Sequence, residues 1–194
     1  GVYWSAAHQP ALTPRDSYEG TFSGAGVGFR RRDRDLDARM EIVVSPEDDI
    51  ELRRLHLTNR ARIARTIEVT SYAEVVLAPA AADALHPAFS NLFVQTEVLS
   101  ERHAILCTRR PRSVGENSPW MFHRMALHGR AAERISYETD RLRFIGRGRT
   151  PASPRAMGED ALSGSAGSVL DPIVAIRFRV TLEPGESVTI DMVS

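Results

Sequence analysis

The feature that most constrains the fold is a run of alternating residues from position 65 to position 77. The odd positions 67, 69, 73, 75 and 77 are apolar. The even positions 66, 68, 70, 72 and 74 are polar, charged or tyrosine. A period of two places one set of side chains on each face of a β-strand. The run therefore predicts a long antiparallel strand with one face in the core and the other in solvent.

A second strand is predicted just before it, after the turn at residues 45–49, where Ser and Pro occupy the first two positions. Ile50 and Leu52 share one parity, whereas Leu55 and Leu57 share the other. A strand with one buried face cannot change parity unless its register shifts. We therefore expect a β-bulge at Arg53–Arg54 that restores the core face.

The clearest hairpin signal lies at the C-terminal end of the sequence. Apolar residues alternate from Val174 to Leu182, a Glu-Pro-Gly-Glu turn follows at 183–186, and alternation resumes from Val188 to Met192. Two alternating runs joined by a short turn are typical of a β-hairpin.

The remaining segments fit the same class of fold. A short helix is predicted at 79–85, ending before His86-Pro87 because the residue before proline avoids the helical region. Further strands are predicted at 91–99, 103–108, 122–127 and 141–145, an irregular segment at 1–20 and a long loop at 146–168. We predict an all-β protein, a large antiparallel β-sandwich with one or two short helices, in which residues 1–194 form a single domain.

Composition excludes several classes of function. Lys+Arg and Asp+Glu are both 25, so no global field attracts nucleic acid. The one cysteine, Cys107, lies in an apolar run and is predicted to be a buried thiol. No apolar stretch is long enough to span a membrane. The first residue is not Met, and we expect the chain to be a fragment of a much larger protein.

Catalytic and metal-binding patterns are absent from the sequence. The acidic residues at 47–49 and 51 stand on or beside a turn, where they do not face each other across a sugar as glycoside hydrolysis requires. Glu138 and Asp140 are interpreted as surface charges that pair with arginines. The histidines lack zinc spacing, so neither a metal nor a cofactor is expected.

Candidate binding residues are aromatic or basic. Tyr3, Trp4 and Trp120 lie in loop-like stretches, where such rings can stack on sugars, or can plug the ends of a sandwich.

A basic run after the strand at 103–108 is the second candidate. Arg109, Arg110 and Arg112 could contact an anionic group such as phosphate, or could form a charged loop end paired with Glu116.

The amino-acid sequence resembles that of the β-sandwich domain of glycoside hydrolase family 94, formerly glycosyltransferase family 36. Within that family it most resembles the cyclic β-1,2-glucan synthases. The similar segments are 44–55, 68–77, 86–93, 108–113, 138–141 and 170–173. The segment 86–93 adds His86 and Phe89 to the candidate carbohydrate contacts.

The resemblance implies a galactose-mutarotase-like supersandwich that accompanies an (α/α)6 barrel carrying the catalytic Asp and the phosphate-binding groups. The chain has no helical pattern of that kind, so no catalytic residue is carried over. The implied partners are a glucan or oligosaccharide, the barrel domain of the same chain, and a second copy in a homodimer. The implied parent is bacterial and bound to the inner membrane, with this soluble piece on the cytoplasmic side.

The resulting hypothesis is a noncatalytic, carbohydrate-binding module that supports a phosphorylase-like glycosyl-transfer region. One alternative is an enzyme fragment, either a disaccharide phosphorylase or a mutarotase-like epimerase that pairs His56 with Glu68 or Glu74. Another is a purely structural domain for docking or dimerisation.

Overall fold

The computed structural model describes residues 2–111, 115 and 118–194, which form two antiparallel sheets packed face to face. The strands of the described chain are β1 (Ser17–Ser23), β2 (Gly26–Asp33), β3 (Leu36–Val44), β4 (Glu51–Asn59), β5 (Arg65–Thr70), β6 (Ala73–Glu74), β7 (Val94–Leu99), β8 (Ala104–Arg109), β9 (Trp120–Leu127), β10 (Arg134–Asp140), β11 (Pro172–Leu182) and β12 (Ser187–Val193). Its α-helices are α1 (Ala80–Leu85), α2 (Pro87–Asn91) and α3 (Arg141–Ile145). The predicted antiparallel all-β class is confirmed, with three short helices instead of one or two.

The two sheets differ in width. The large sheet has eight strands in the order β1-β2-β3-β4-β12-β9-β8-β7, and the small sheet has the order β10-β11-β5, with β6 also paired to β11. The small sheet covers the middle of one face of the large sheet, which we call the inner face. The opposite face of the large sheet is called the outer face. None of the helices in the described residues has the length and apolarity needed to cross a membrane.

The main core lies between the sheets. Its most deeply buried side chains include Leu57, Ile105, Met125, Phe178 and Ile190. Cys107 lies in the same core with no exposed surface, as predicted, and burial raises the pKa of its thiol to about 12. A second cluster lies on the other side of β11, where Phe144 and Ile145 of α3 and residues of the loop after it pack on the strand. The central strand β11 is therefore buried on both faces.

The predicted C-terminal hairpin is wrong, because β11 lies in the small sheet and β12 lies in the large one. The turn itself is where it was predicted, with the Glu186 N–H donating to the Glu183 carbonyl at 3.0 Å. Asn59 holds this crossing and has no exposed surface. Its amide donates to the carbonyls of Ile63, Leu182 and Glu183 at 2.9, 2.9 and 3.2 Å. The connection from β4 to β5 also crosses between the sheets here, so Asn59 links both crossings.

The predicted bulge at Arg53–Arg54 is also wrong. The β3–β4 register runs without a shift from Leu36 opposite Asn59 to Val44 opposite Glu51. Leu55 and Leu57 face the core, while Leu52 is half-buried on the outer face. Leu52 points away from the core, and Leu55 and Leu57 point into it. No bulge is needed because the core does not extend as far along β4 as Leu52.

The long strand predicted at 65–77 is divided into β5 and β6, which pair with the same strand in one continuous register. Ser71 occupies the gap, and its hydroxyl accepts from the Ile176 N–H at 3.0 Å. The predicted faces are confirmed: Val69 and Val75 are buried in the core, and Glu68 and Glu74 lie on the other side.

The strand predicted at 141–145 is instead helix α3. Asp140 begins this helix, because its carboxylate accepts from the N–H groups of Leu142 and Arg143. Glu138 is not a surface charge, since it is 2% exposed and lies under the loop at 146–168. Alternation alone did not reveal this, because the loop that covers Glu138 has no regular pattern.

Candidate functional site

The most distinctive surface, which combines polar and aromatic side chains, lies on the outer face at one edge of the large sheet, where β7, β8 and β9 are neighbours. Cross-strand pairing places Gln95, Thr108 and Trp120 in one row. Two residues further along the strands, the next row on the same face contains Glu97, Leu106 and Phe122. We call these six residues the outer-face site.

Trp120 dominates the outer-face site because 64% of its surface is exposed. Its ring stacks on Phe122 with 6.4 Å between the centroids and an interplanar angle of 26°. This contact holds the indole on the sheet while the rest of its surface stays open to solvent.

A groove of about 250 Å³ runs along the outer-face site. It is lined by Gln95, Thr96, Glu97, Leu106, Thr108, Gly167 and Ser168. The wall at Gly167 is fixed to the edge strand by two backbone hydrogen bonds with Thr96, of 2.9 and 2.7 Å. The groove therefore has a built edge on β7, and its lining residue Thr108 is the cross-strand neighbour of Trp120 on β9.

The chemistry of the outer-face site suits a neutral polyhydroxylated ligand. An amide, a carboxylate and a hydroxyl offer donors and acceptors, and the exposed indole offers a flat apolar surface. In the described part of the chain, no group of three or more His, Cys, Asp or Glu side chains could hold a metal ion.

A second cluster lies where the same strands end. Phe89 and Phe93 meet edge to face with 5.4 Å between their centroids, and the guanidinium groups of Arg109 and Arg110 lie 5.9 and 5.8 Å from the Phe93 ring. We call these four residues the aromatic–arginine cluster. Arg109 is 4% exposed, whereas Phe89 is 54% exposed.

The tertiary structure brings several predicted site residues to this corner. Trp120 belongs to the outer-face site, and Phe89, Arg109 and Arg110 belong to the aromatic–arginine cluster. His86 is exposed and begins α2, the helix that carries Phe89. Arg112 and the predicted partner Glu116 lie outside the described residues.

Tyr3 and Trp4 lie elsewhere and have packing roles. Both are half-buried, and the Tyr3 hydroxyl donates to the Ala152 carbonyl at 2.6 Å. Trp4 lies over the buried guanidinium of Arg31, 4.6 Å from ring centroid to Cζ. Arg31 also binds the carbonyls of Ser5, Thr13 and Pro14, which holds the N-terminal segment on the inner face. Contact of Tyr3 and Trp4 with sugar stays a prediction, and the packing of these two side chains does not favour it.

The histidine and carboxylates of the epimerase hypothesis do not converge. His56 is on the outer face of the large sheet, where its ring lies 3.1 Å from the Thr189 hydroxyl. Glu68 is on the far side of the small sheet, beside Arg134 and Arg177. Glu74 is hydrogen-bonded by Arg141, which lowers the pKa of that carboxyl. The pairing of His56 with Glu68 or Glu74 is therefore wrong.

The acidic residues at 47–49 form a solvated turn, as predicted. The Ser45 hydroxyl accepts from the N–H groups of Glu47 and Asp48 at 3.3 and 3.1 Å, and both residues are exposed. Glu51 pairs with Arg53 at 2.5 Å. This arrangement supplies no pair of facing carboxylates.

Sequence reasoning missed Gln95, Glu97, Phe93 and Phe122. Gln95 and Glu97 lie two residues apart within the strand predicted at 91–99, and a period of two places them on one face. Placing them beside Trp120 needed the pairing of three strands, which alternation does not reveal.

Comparison with known proteins identifies relatives along the whole chain. Residues 1–194 match the family described as "Glycosyl hydrolase 94, supersandwich domain". The chain is 38% identical over 191 residues to the cyclic beta-(1,2)-glucan synthase NdvB of Rhizobium meliloti (strain 1021), covering 98% of this chain and 7% of that protein. It is 26% identical over 195 residues to the solabiose phosphorylase of Paenibacillus borealis, covering 97% of this chain and 23% of the relative. The chain thus spans a small part of each of these relatives.

Proposed function

The chain belongs to the supersandwich-domain family of glycosyl hydrolase 94, and we propose that it is a noncatalytic, carbohydrate-contacting module of a longer bacterial cyclic β-1,2-glucan synthase. The single observation that carries the proposal is the exposed Trp120 beside a groove lined by polar side chains. A rigid sheet that displays an aromatic ring and hydrogen-bonding groups is suited to recognition of sugars.

The noncatalytic part of the proposal is supported by the carboxylates. Several acidic side chains were candidates for catalysis. Among the described residues, these candidates stand on a turn, pair with arginine, or are enclosed under a loop. Acid–base cleavage of a glycosidic bond needs two carboxyl groups on either side of the sugar. The reaction would accordingly belong to another part of the parent protein.

The relatives support the part of the proposal that places the chain in a longer protein acting on sugars. The names of the two relatives specify a cyclic beta-(1,2)-glucan synthase and a solabiose phosphorylase. In this proposal the chain is one domain of a longer protein, accompanies a catalytic barrel, and lies on the cytoplasmic side of the inner membrane.

Titration calorimetry of the 194-residue chain with linear β-1,2-glucan tests the proposal. We expect saturable heat at millimolar glucan. We also expect no glucose 1-phosphate when glucan and inorganic phosphate are incubated with the chain. Absence of heat would overturn the carbohydrate-contacting role, and release of glucose 1-phosphate would overturn the noncatalytic role.

A docking function is the second candidate, favoured by an apolar patch at the opposite end of the large sheet. Phe22, Val27 and Ile42 form one cross-strand row on the inner face, beyond the small sheet, and Phe22 is 75% exposed. Val44, on the same face, is 67% exposed. The proposed occupant is the barrel domain of the same parent. Pull-down of that separately expressed barrel should succeed with the wild-type chain and fail with Phe22→Asp; equal recovery would exclude the patch.

A further inference from the structure

We propose that the outer-face site is a binding subsite for a neutral β-linked glucan chain, with Trp120 as the stacking platform and Gln95 and Glu97 as the groups that bind sugar hydroxyls. This inference rests on the proposed function and names the surface and the ligand chemistry. It follows from the register of three strands and from the exposure of the side chains on them.

The stacking surface of the outer-face site is the exposed indole of Trp120. The indole of Trp120 contacts Phe122 within the sheet and keeps 64% of its surface exposed. A pyranose ring with equatorial substituents presents a flat face of C–H groups. Such a face packs on an indole by burial of apolar area and by dispersion.

Polar side chains stand in the same two rows as the indole. Gln95 and Glu97 are both exposed on the edge strand, and Thr108 lies between Gln95 and Trp120. Glu97 forms no ion pair within the described residues, so its oxygens are available as acceptors. Hydrogen bonds from hydroxyl groups to a carboxylate are stronger than those to neutral oxygen.

The size of the site indicates a segment of a longer ligand. Strands in a sheet are about 4.8 Å apart, so the row from Gln95 to Trp120 spans roughly 10 Å. The groove of about 250 Å³ is open along the sheet and does not enclose a ligand. Most of a bound chain would stay in solvent, and we expect weak binding that suits a polymer passing over the surface.

Charge separates this site from the aromatic–arginine cluster. Glu97 is the charged residue of the two rows, which disfavours a phosphate or carboxylate ligand. Arg110 of the neighbouring cluster is exposed and offers the opposite preference. A neutral glucan is therefore the ligand class that fits the outer-face site.

The test compares the wild-type chain with Trp120→Ala and Glu97→Gln by calorimetry with linear β-1,2-glucan. Trp120→Ala should weaken binding by about tenfold or more, and Glu97→Gln by a smaller factor. Leu142→Ala is the matched control, since Leu142 is also 64% exposed but lies on α3. It should bind as the wild type does. Equal thermal midpoints would show that the variants are folded.

A second measurement uses fluorescence. Trp4 and Trp120 are the two tryptophans of the chain, so Trp4→Phe leaves Trp120 as the sole tryptophan, whose emission is followed by selective excitation of indole. Saturating glucan should change its emission, while an α-1,4-glucan of equal length should have a smaller effect. Wild-type binding that is unchanged in Trp120→Ala would overturn the subsite and leave the proposed function intact. Failure of the wild type itself to bind would overturn both.

Discussion

His123 is a buried base held between two hydroxyl groups. Its Nε2 lies 2.8 Å from the Ser71 Oγ and its Nδ1 lies 2.7 Å from the Ser194 Oγ. The pKa of this imidazole is lowered from 6.5 to about 4, mainly by burial and to a smaller extent by the nearby Arg53, while Glu51 opposes the shift. His123 is therefore neutral in the folded protein near neutral pH.

We expect acid to destabilise the fold through this residue. Between pH 6.5 and about pH 4 the unfolded chain binds a proton at His123 that the folded chain does not. The free energy of unfolding should therefore fall by about 3 kcal/mol over that range. Urea unfolding at pH 7 and pH 5 measures the larger part of this loss. His123→Gln should reduce the pH dependence, and an unchanged dependence would show that other groups cause it.

The burial of individual side chains was predicted correctly for Cys107 and wrongly for Glu138. Cys107 was predicted to be buried because apolar neighbours surround it in the sequence. Glu138 was predicted to be exposed, because carboxylates seldom lie in a core without a partner. Its partners come from the loop, 25 and 27 residues further along the chain.

At the scale of elements, Glu138 fixes the long loop to β10. Its carboxylate accepts from the Ser163 hydroxyl at 2.6 Å, from the Ser165 hydroxyl, and from the N–H groups of Thr139 and Asp140 at 3.0 Å each. Arg177 holds another part of the loop, donating to the carbonyls of Ala156 and Glu159 at 2.8 Å. The loop has no regular backbone hydrogen bonding of a strand or long helix, and the buried side chains of Glu138 and Arg177 provide hydrogen bonds in its place.

Glu138→Ala should loosen the loop before it unfolds the sandwich. The hydroxyls and N–H groups would lose their acceptor, a cost of about 1–3 kcal/mol for each group left buried and unpaired. Hydrogen exchange should accelerate at residues 161–167 and change little in β4 and β12. Glu133→Ala, an exposed acidic residue near the start of β10, is the control and should leave exchange unchanged. Uniform acceleration over the whole chain would contradict a local role.

Strands were easier to predict than their partners. The faces of the 65–77 run were right because period two directly reports which side chains share a face. The bulge was wrong because the extent of the core on β4 depends on the small sheet above it. The outer-face site was only partly predictable: Trp120 was identified by its residue type, whereas Gln95 and Glu97 needed the cross-strand register.

At the scale of the whole molecule, two connections cross between the sheets at Asn59. The Asn59 amide donates to the Ile63 carbonyl of one connection and to the Leu182 and Glu183 carbonyls at the other, and its Oδ1 accepts from the Ala61 N–H at 3.0 Å. This residue fixes the relative position of the two layers at one end of the sandwich.

Asn59→Ala should therefore destabilise the whole fold. Several buried carbonyls would lose their donor, and we expect a loss of about 3 kcal/mol in the free energy of unfolding. Labelling of the buried Cys107 thiol at increasing urea measures global unfolding, since this side chain is fully covered in the folded chain. Asn91→Ala, which removes one half-buried hydrogen bond to Asp171, should cost less than about 1 kcal/mol. Equal midpoints for the two variants would contradict the linking role of Asn59.

The amino-acid sequence by itself determined the antiparallel all-β class, most of the strand positions, the turn at 183–186 and the resemblance to glycoside hydrolase family 94. Only the tertiary structure decided that β11 and β12 belong to different sheets, that Glu138 lies under a loop, and that Trp120 stands beside Gln95 and Thr108. The physical reason is that alternation is a local property, reporting which side chains share a face of one strand. The choice of neighbouring strand depends on packing between residues far apart in the chain, and the outer-face site exists only after that choice is made.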